Sequence, residues 1–307
     1  MQTLESLKKR IKSTQELLSV VKTMKALAAV SIRQYQKAVE SLSEYTNAVE
    51  MGLQIVLQKQ EETTTPSRPK PPARLGAIVF GSDQGLCGQF NVQVANFAAE
   101  ELEKLGVKNE NLFIMTVGER AKDYIEGAGL KVDELLSVPS STAGITPMVQ
   151  EIIMVLDEWH FREKVEHVYL FYNKYLSGAS FSPQSLRLLP VDETWLKDVR
   201  SRKWESRTIP MYTLNWDILF ASLIREYLFI SLFQAFAESL ASENASRLAS
   251  MQNAEKNIEE RLEEIFASFH RQRQMIITEE LLDIVAGYEV LQVKKKKEPE
   301  LVQPTGA

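Results

Sequence analysis

The chain has 307 residues, a formal charge of −5, 44% hydrophobic and 25% charged residues. This composition is ordinary for a soluble protein of one or two domains, and the negative charge gives no reason to expect a nucleic acid as the main partner. The lone cysteine, Cys87, excludes an internal disulfide framework and a cysteine-based metal cluster, and it indicates a reducing, cytosolic setting. The first residues are charged and lack an apolar segment, so we expect no secretory signal.

A very long helix is predicted over residues 1–60, because apolar residues recur there in two rows with a 3.5-residue step. The rows consist of Leu4, Ile11, Leu18, Ile32, Val39 and Leu53, and of Leu7, Val21, Ala28, Tyr35, Leu42, Val49 and Val56. Only Thr14, Lys25 and Thr46 interrupt them. A seam this narrow is typical of a helix that wraps around one partner helix. At about 1.5 Å per residue, the helix would be a rod of roughly 75 Å.

An α/β domain is predicted over residues 75–200, after a polar, proline-rich connector over residues 61–74 that cannot continue the helix. The predicted strands are Leu75–Phe80, Leu112–Val117, Val132–Val138, Val165–Tyr172 and Leu186–Val191. The predicted helices are Phe90–Leu105, Arg120–Glu126 and Pro147–Glu158. Alternation of strands and helices indicates a Rossmann-like α/β layer with a largely parallel sheet.

A second long rod is predicted from residue 211 to residue 291, where the chain has no proline and one glycine. Asn215 is its expected N-cap, with Asp217 in the first turn. The small residues of 241–250 predict a close approach to the α/β domain or to the first helix. A narrow seam then resumes at Met251, Ile258, Leu262, Ile265, Phe269 and Ile276. Residues 292–307, rich in lysine, are expected to be a disordered tail.

Charge differs between the two rods. Residues 8–37 carry eight cationic side chains against the single acid Glu16, whereas residues 255–264 carry five acids against two cations. Opposite charges favour pairing of the first helix with the last over self-pairing, and the alternative is two solvated faces.

One segment, Ile218–Phe236, is apolar enough to be considered as a membrane span. Its eleven Leu, Ile and Phe residues contribute about −3 to −6 kcal/mol to insertion, whereas Arg225 costs roughly +3 kcal/mol and Glu226 a similar amount. The summed free energy of membrane insertion is near zero or unfavourable. We therefore expect no transmembrane span and interpret this segment as a helix buried in protein.

The turn Gly81–Asn91 lies after a predicted strand and before a predicted helix, where a phosphate-binding loop would lie. Its glycines match neither the G-x-G-x-x-G pattern nor the P-loop pattern, so a tight turn with Ser82 or Asp83 capping the following helix is the favoured interpretation. Cys87 is expected to be a packed side chain and not a nucleophile. Asp157, Glu158 and His160 could be considered as an acid–base cluster, but their i, i+1, i+3 spacing on a helix points them in different directions, so surface polar residues are the favoured interpretation. The residues therefore predict no catalytic site, no cofactor site and no metal site.

Four segments in this order resemble the γ subunit of rotary F-type ATP synthases, over residues 4–291. Lys22–Val30 is similar to the family's K-A-M-x-M-V-A-A, and Gly81–Asn91 to S-D-[RK]-G-L-C-G-x-[FY]-N. Leu240–Leu248 and Arg273–Gly287 are similar to S-E-x-A-x-R and R-Q-x-x-I-T-x-E-L-x-E-I-V-x-G. Departures from the family pattern, such as Gln84 in place of Arg or Lys, suggest a divergent branch.

The resemblance implies an antiparallel coiled coil of the two end helices, which acts as a non-catalytic central shaft. Its partners would be the α and β subunits of the ring, the ε subunit and the membrane c ring, on the cytoplasmic face of a bacterial inner membrane. It also implies residues that contact the α/β ring. These are Lys22, Met24, Lys25, Arg33, Arg273, Gln274 and Thr278.

Two alternatives remain open. The first is a Rossmann-like nucleotide-binding enzyme whose helical arms serve oligomerisation, which the strand–turn–helix at Gly81–Asn91 motivates. The second is a long coiled-coil adaptor without a rotary role, which would form a parallel homodimer through its first helix.

Overall fold

The computed structural model describes residues 3–58, 73–204, 208 and 211–297, with side chains as far as residue 289. The chain divides into two compact units. One consists of Met24–Gln252, and the other of Met1–Thr23 together with Asn253–Ala307. Nearly all of the predicted connector over residues 61–74 lies outside the described residues.

Within the described ranges the chain forms six α-helices and five strands. The helices are α1 (Leu4–Gln58), α2 (Phe90–Lys104), α3 (Glu119–Gly127), α4 (Ile145–Glu163), α5 (Glu193–Ser201) and α6 (Trp216–Lys297). The strands are β1 (Leu75–Phe80), β2 (Leu112–Val117), β3 (Glu134–Leu136), β4 (His167–Ser177) and β5 (Ser180–Leu189). The predicted and observed bounds of β1 and β2 agree because both strands are continuous apolar runs, as expected of strands covered on both faces.

The strands form one sheet in the order β3-β2-β1-β4-β5. The first four strands of this order are parallel, and β5 pairs with β4 in the antiparallel direction. The predicted strand Leu186–Val191 is thus the end of a longer strand that returns from β4 through a tight turn at Gly178, whose φ is +60°. Helix α5 was not predicted, because Val199 is its one buried residue and the apolar period is too short to detect.

In the unit of residues 24–252, α1 and α6 run antiparallel. The hydroxyl of Tyr45 donates a hydrogen bond to Glu226 over 2.5 Å, and Nε1 of Trp216 donates to the Val56 carbonyl oxygen over 3.0 Å. Increasing residue numbers on α1 therefore meet decreasing numbers on α6.

In the other unit, which contains both ends of the chain, α1 and α6 are also antiparallel. Lys22 Nζ lies 3.0 Å from Glu259 and 3.7 Å from Glu255. Earlier residues of α1, between Ser6 and Thr14, line a groove with the later α6 residues Arg261 and Ile265. Every predicted seam position of α1, in either unit, is buried or half-buried, including the three interruptions. The predicted antiparallel pairing and the narrow seams are therefore confirmed within each unit.

Helix α6 differs from the predicted range of residues 211–291 at both ends, although its predicted N-cap is confirmed. It begins at Trp216, five residues after the predicted limit, because the Asn215 side chain accepts a hydrogen bond from the Asp217 amide over 3.0 Å and so forms the expected N-cap. It ends at Lys297, so the first residues of the predicted tail are helical. Residues 298–307 lie outside the described residues.

The apolar segment Ile218–Phe236 is buried only in its second half. Ile218 is 61% exposed, whereas Ile230, Leu232 and Phe236 are buried. The ring of Phe236 contacts that of Phe80 edge-on, with the ring centroids 4.8 Å apart, so α6 packs on the end of β1. The prediction of a helix buried in protein therefore holds from Ile230 onwards, whereas the residues before Ile230 are buried along one face only, where α6 packs on α1 and α5.

Gly118 provides a test of the turn that joins β2 to α3. Its φ is +102°, and an added Cβ would lie 2.7 Å from the backbone of Ser82. Gly118→Ala should lower the free energy of unfolding by at least about 3 kcal/mol, since a left-handed backbone and a steric clash both oppose the alanine.

Gly129→Ala is the matched control, because φ there is +82° but no atom lies within 4 Å of the added Cβ. It should cost about 1–2 kcal/mol, the backbone contribution alone. Urea unfolding of the full chain, followed by circular dichroism, measures both. Equal losses in the two variants would contradict the proposed clash.

Candidate functional site

The turn Gly81–Asn91 is held by hydrogen bonds among its own residues. The Ser82 amide donates to Asn91 Oδ1 over 2.9 Å, and Asn91 Nδ2 donates to Ser82 Oγ over 2.8 Å. Ser82 Oγ in turn donates to the Gln84 carbonyl oxygen over 2.8 Å. These side chains therefore serve the turn itself, which supports the prediction of a tight turn.

The expected capping of α2 by Ser82 or Asp83 is wrong. The N-cap of α2 is Gln89, whose side chain makes no capping hydrogen bond. Asp83 instead accepts hydrogen bonds from the Glu119 amide over 3.1 Å and from the Val138 amide over 2.8 Å. It caps the beginning of α3 and binds the segment after β3, because the turn folds back over the carboxyl ends of β2 and β3. Sequence proximity alone pointed to the wrong helix.

Cys87 is a packed side chain. It is buried, Asn91 Nδ2 lies 3.4 Å from its sulfur, and burial raises the pKa of its thiol. The reactive form of a cysteine is the thiolate, which a raised pKa disfavours. Cys87 is thus unsuited to act as a nucleophile at neutral pH.

The sheet has a topological switch point between β1 and β4, the place where open α/β sheets bind ligands. Here α6 fills that crevice. Ser242 Oγ lies 2.8 Å from the carbonyl oxygen of Asn173 at the end of the buried part of β4, and Ser246 Oγ donates to the Cys87 carbonyl oxygen over 2.6 Å. The small residues of α6 permit this close approach, as predicted. A nucleotide could enter this crevice only if α6 were displaced.

A buried ion pair joins α6 to the same turn. Arg247 Nη2 lies 2.6 Å from Glu243 Oε1 and 3.3 Å from the Gln84 carbonyl oxygen. Burial raises the pKa of Glu243, while Arg247 opposes that shift. Loss of one partner from a buried pair typically costs about 3–5 kcal/mol, because the other charge stays buried. The i, i+4 spacing of Glu243 and Arg247 in the S-E-x-A-x-R segment is the sequence signal for this pair.

The residues considered for acid–base chemistry do not converge. Asp157 lies 3.4 Å from Arg225 of α6, Glu158 pairs with Arg162 on its own helix, and His160 Nδ1 lies 3.2 Å from the Val165 carbonyl oxygen. Among the described residues there is also no group of three or more His, Cys, Asp and Glu side chains that could hold a metal ion.

Among the predicted ring-contact residues, Met24, Lys25 and Arg33 lie on α1 in the unit of residues 24–252. Met24 and Lys25 are half-buried, and Arg33 is exposed. Within the described part of the chain Arg33 forms no ion pair, so its charge is available to a partner.

The other predicted contact residues lie in the unit that contains both chain ends. Lys22 is bound by Glu255 and Glu259, so its charge is already neutralised within the helix pair, and Glu259 raises its pKa. Arg273, Gln274 and Thr278 are exposed on α6, with Thr278 Oγ1 donating to the Gln274 carbonyl oxygen over 2.8 Å.

Large apolar side chains are exposed near the end of α6. They are Met275, Ile277, Leu281, Leu282, Ile284, Val285 and Tyr288, with Leu282 63% and Ile284 68% exposed. Soluble monomers rarely expose so many large apolar residues in one stretch, and such surfaces are typical of contacts with a partner.

By length and composition, one helix in the described part of the chain could cross a membrane, within Trp216–Glu289. The 18-residue apolar stretch of this helix that meets the criterion is 22% buried. Core helices of soluble proteins meet the same criterion, so this finding alone does not identify a span.

Comparison with known proteins agrees with this architecture. The sequence profile of the family described as ATP synthase matches residues 3–291. The ATP synthase gamma chain of Bartonella bacilliformis is 28% identical over 306 residues, covering 95% of this chain and 100% of the relative. That of Rhizobium johnstonii is 29% identical over 304 residues, with 95% and 100% covered.

Solved structures share the fold. A chain of the Euglena gracilis mitochondrial ATP synthase (OSCP/F1/c-ring) has a TM-score of 0.64 at 15% identity, with 98% of this chain and 99% of that chain covered. A chain of the Tetrahymena thermophila mitochondrial ATP synthase (central stalk and c-ring) has a TM-score of 0.54 at 19% identity, with 76% and 99% covered. Because the profile spans nearly the whole sequence, the chain belongs to the ATP synthase family, in which its similarity is to the γ chains.

Proposed function

We propose that the chain is the central rotor shaft of a rotary F-type ATP synthase. It couples ion translocation through a membrane c ring to ATP synthesis or hydrolysis at a ring of α and β subunits. The observation that carries this proposal is the antiparallel pairing of α1 with α6 in each unit, around an inserted α/β domain whose ligand crevice α6 occupies.

Torque transmission needs an element that stores work without unwinding. One charge that crosses 100 mV supplies only about 2.3 kcal/mol, so several translocation steps must accumulate before one ATP is made. Two helices held by an apolar seam resist twisting better than a single helix. The hydrogen bonds that Ser242, Ser246 and Arg247 of α6 make to the α/β domain would anchor the pair against rotation within its base.

The chain itself is non-catalytic in this proposal. The nucleotides would be bound and hydrolysed by the ring subunits, while the ε subunit and the c ring would bind the α/β domain. The complex would lie on the cytoplasmic face of a bacterial inner membrane, with this chain peripheral and without a transmembrane span. The two γ chains named above, from Bartonella bacilliformis and Rhizobium johnstonii, are bacterial, which supports this placement, whereas the two solved structures are mitochondrial.

The ring contacts proposed for this chain involve both units. Met24, Lys25 and Arg33 would face acidic loops of the ring, and Arg273, Gln274 and Thr278 would contact it near the end of α6. Lys22 would contribute less, because its charge is already neutralised by Glu255 and Glu259. The exposed apolar residues of 275–288 support a ring that covers this part of α6.

Reconstitution tests the proposal directly. We expect the chain to copurify with its α and β subunits in a fixed ratio, and ATP-driven rotation to require it, because an asymmetric shaft has to act on each β subunit in turn. Bead-rotation microscopy and size-exclusion chromatography measure both. A heat-denatured chain is the control, and α and β subunits that neither bind the chain nor respond to it would overturn the proposal.

Arg33 tests the proposed contact with an acidic loop. Arg33→Glu should slow ATP-driven rotation about three- to tenfold, since reversal of an exposed charge converts attraction into repulsion. Arg33→Lys keeps the charge and should rotate at close to the parental rate. Because Arg33 is exposed, neither change should alter the thermal unfolding of the isolated chain. Equal rates for the two variants would contradict the contact.

A further inference from the structure

The unit formed by both chain ends has a cavity of about 450 Å³ between α1 and α6. We call it the basic groove. Its floor includes the buried Ile265, and its walls carry hydroxyl groups and cations. These are Ser6, Lys9, Arg10, Ser13, Thr14 and Arg261. Cations from two helices thus converge on one concave surface.

The two cations that α1 contributes to the basic groove, Lys9 and Arg10, are not neutralised by α6. Within the described part of the chain Lys9 and Arg10 form no ion pair, and Arg261 is paired only with its own neighbour Glu264, both side chains being more than half exposed. Lys22 differs, since it contacts two carboxylates of α6 in the same unit. The attraction between a basic α1 and an acidic α6 therefore operates at Lys22 but not at the basic groove.

We propose that the basic groove binds an acidic segment of a partner protein, whose Asp or Glu carboxylates accept hydrogen bonds from Lys9, Arg10 and Arg261. The proposal rests on the rotor function proposed above and adds a contact that the family resemblance did not suggest. In that setting the partner is a subunit of the surrounding ring.

The exposure of the cations favours a protein partner over a small anion. Lys9, Arg10 and Arg261 are all exposed, and solvent screens exposed charges, so a small anion would gain little from them. A protein segment that covers the basic groove excludes water and strengthens each ion pair as it binds. From Ser6 to Thr14, α1 rises about 12 Å. This length accommodates an extended segment of about four residues.

A second copy of the chain fits less well. In a symmetric dimer the same surface meets itself, so two basic grooves would lie face to face and their cations would repel. The acidic side chains of α6 that could serve as a partner surface are partly occupied, because Glu255 and Glu259 bind Lys22 of the same chain.

Carbodiimide cross-linking of the assembled complex, followed by mass spectrometry, tests this proposal. The reagent joins a lysine amine to a carboxylate in ion-pair contact. We expect an isopeptide between Lys9 and an Asp or Glu of an α or β subunit. The Lys22–Glu259 contact of 3.0 Å within the chain is an internal positive control.

Arg10→Gln combined with Arg261→Gln keeps the reactive Lys9 and should lower the yield of its cross-link by about fivefold or more, which is the effect of losing two weak, exposed ion pairs. Lys12→Gln is the matched control, because Lys12 lies 4.0 Å from Glu16 on its own helix and does not line the groove, so it should leave the yield unchanged.

The outcomes separate the two proposals. If the complex assembles and rotates but Lys9 is joined only to its own chain, to a second copy or to nothing, the groove proposal fails while the rotor function stands. An unchanged yield in the double variant also overturns it. If the chain does not assemble with α and β at all, both proposals fail.

Discussion

The packing of α6 across the carboxyl edge of the sheet is the constraint on which the α/β domain depends. In an open parallel sheet this edge is the usual place for a ligand, because the strands diverge there and leave a crevice. Here the crevice is closed by Phe236, Ser242 and Ser246, and α6 is hydrogen-bonded to the end of the buried part of β4 and to the turn that follows β1. The domain thus has the topology of a nucleotide-binding fold, yet it uses the crevice to hold α6.

The bonds between α6 and the turn Gly81–Asn91 fix the register of the helix as well as its position. Ser242 and Ser246 lie at i and i+4, so they form one stripe on α6 that bonds to β4 and to the turn, and Arg247 reaches the turn from about 100° further around the helix. A slip by one residue would move that stripe by about 1.5 Å and rotate it by about 100°. Every one of its hydrogen bonds would then be lost. Apolar packing alone tolerates small slips, whereas hydrogen bonds and a buried ion pair do not.

Each of the two long helices packs against the other with one face and exposes its outer face to the surroundings. A narrow seam buries enough apolar surface to pair α1 with α6 and leaves the outer faces free. In the unit that contains both chain ends, those faces carry Lys9 and Arg10, which form no ion pair among the described residues, and the apolar residues near the end of α6. A self-contained globular protein would cover or neutralise such surfaces. Their exposure is what a rotor shaft requires, because its surroundings complete the structure.

The sequence alone determined the elements whose signal is local. The 3.5-residue rows fixed α1 and its seam, the apolar runs fixed β1 and β2, and Asn215 fixed the beginning of α6. Motif order fixed the family. The sequence alone did not determine the antiparallel β5, the short α5 or the helix that Asp83 caps, because these depend on which segments the fold brings together. Nor did it reveal that Lys22 is neutralised while Lys9 and Arg10 are not. Charges along one helix can be counted from the sequence, but their partners are chosen by the register of the second helix, and only the tertiary structure sets that register.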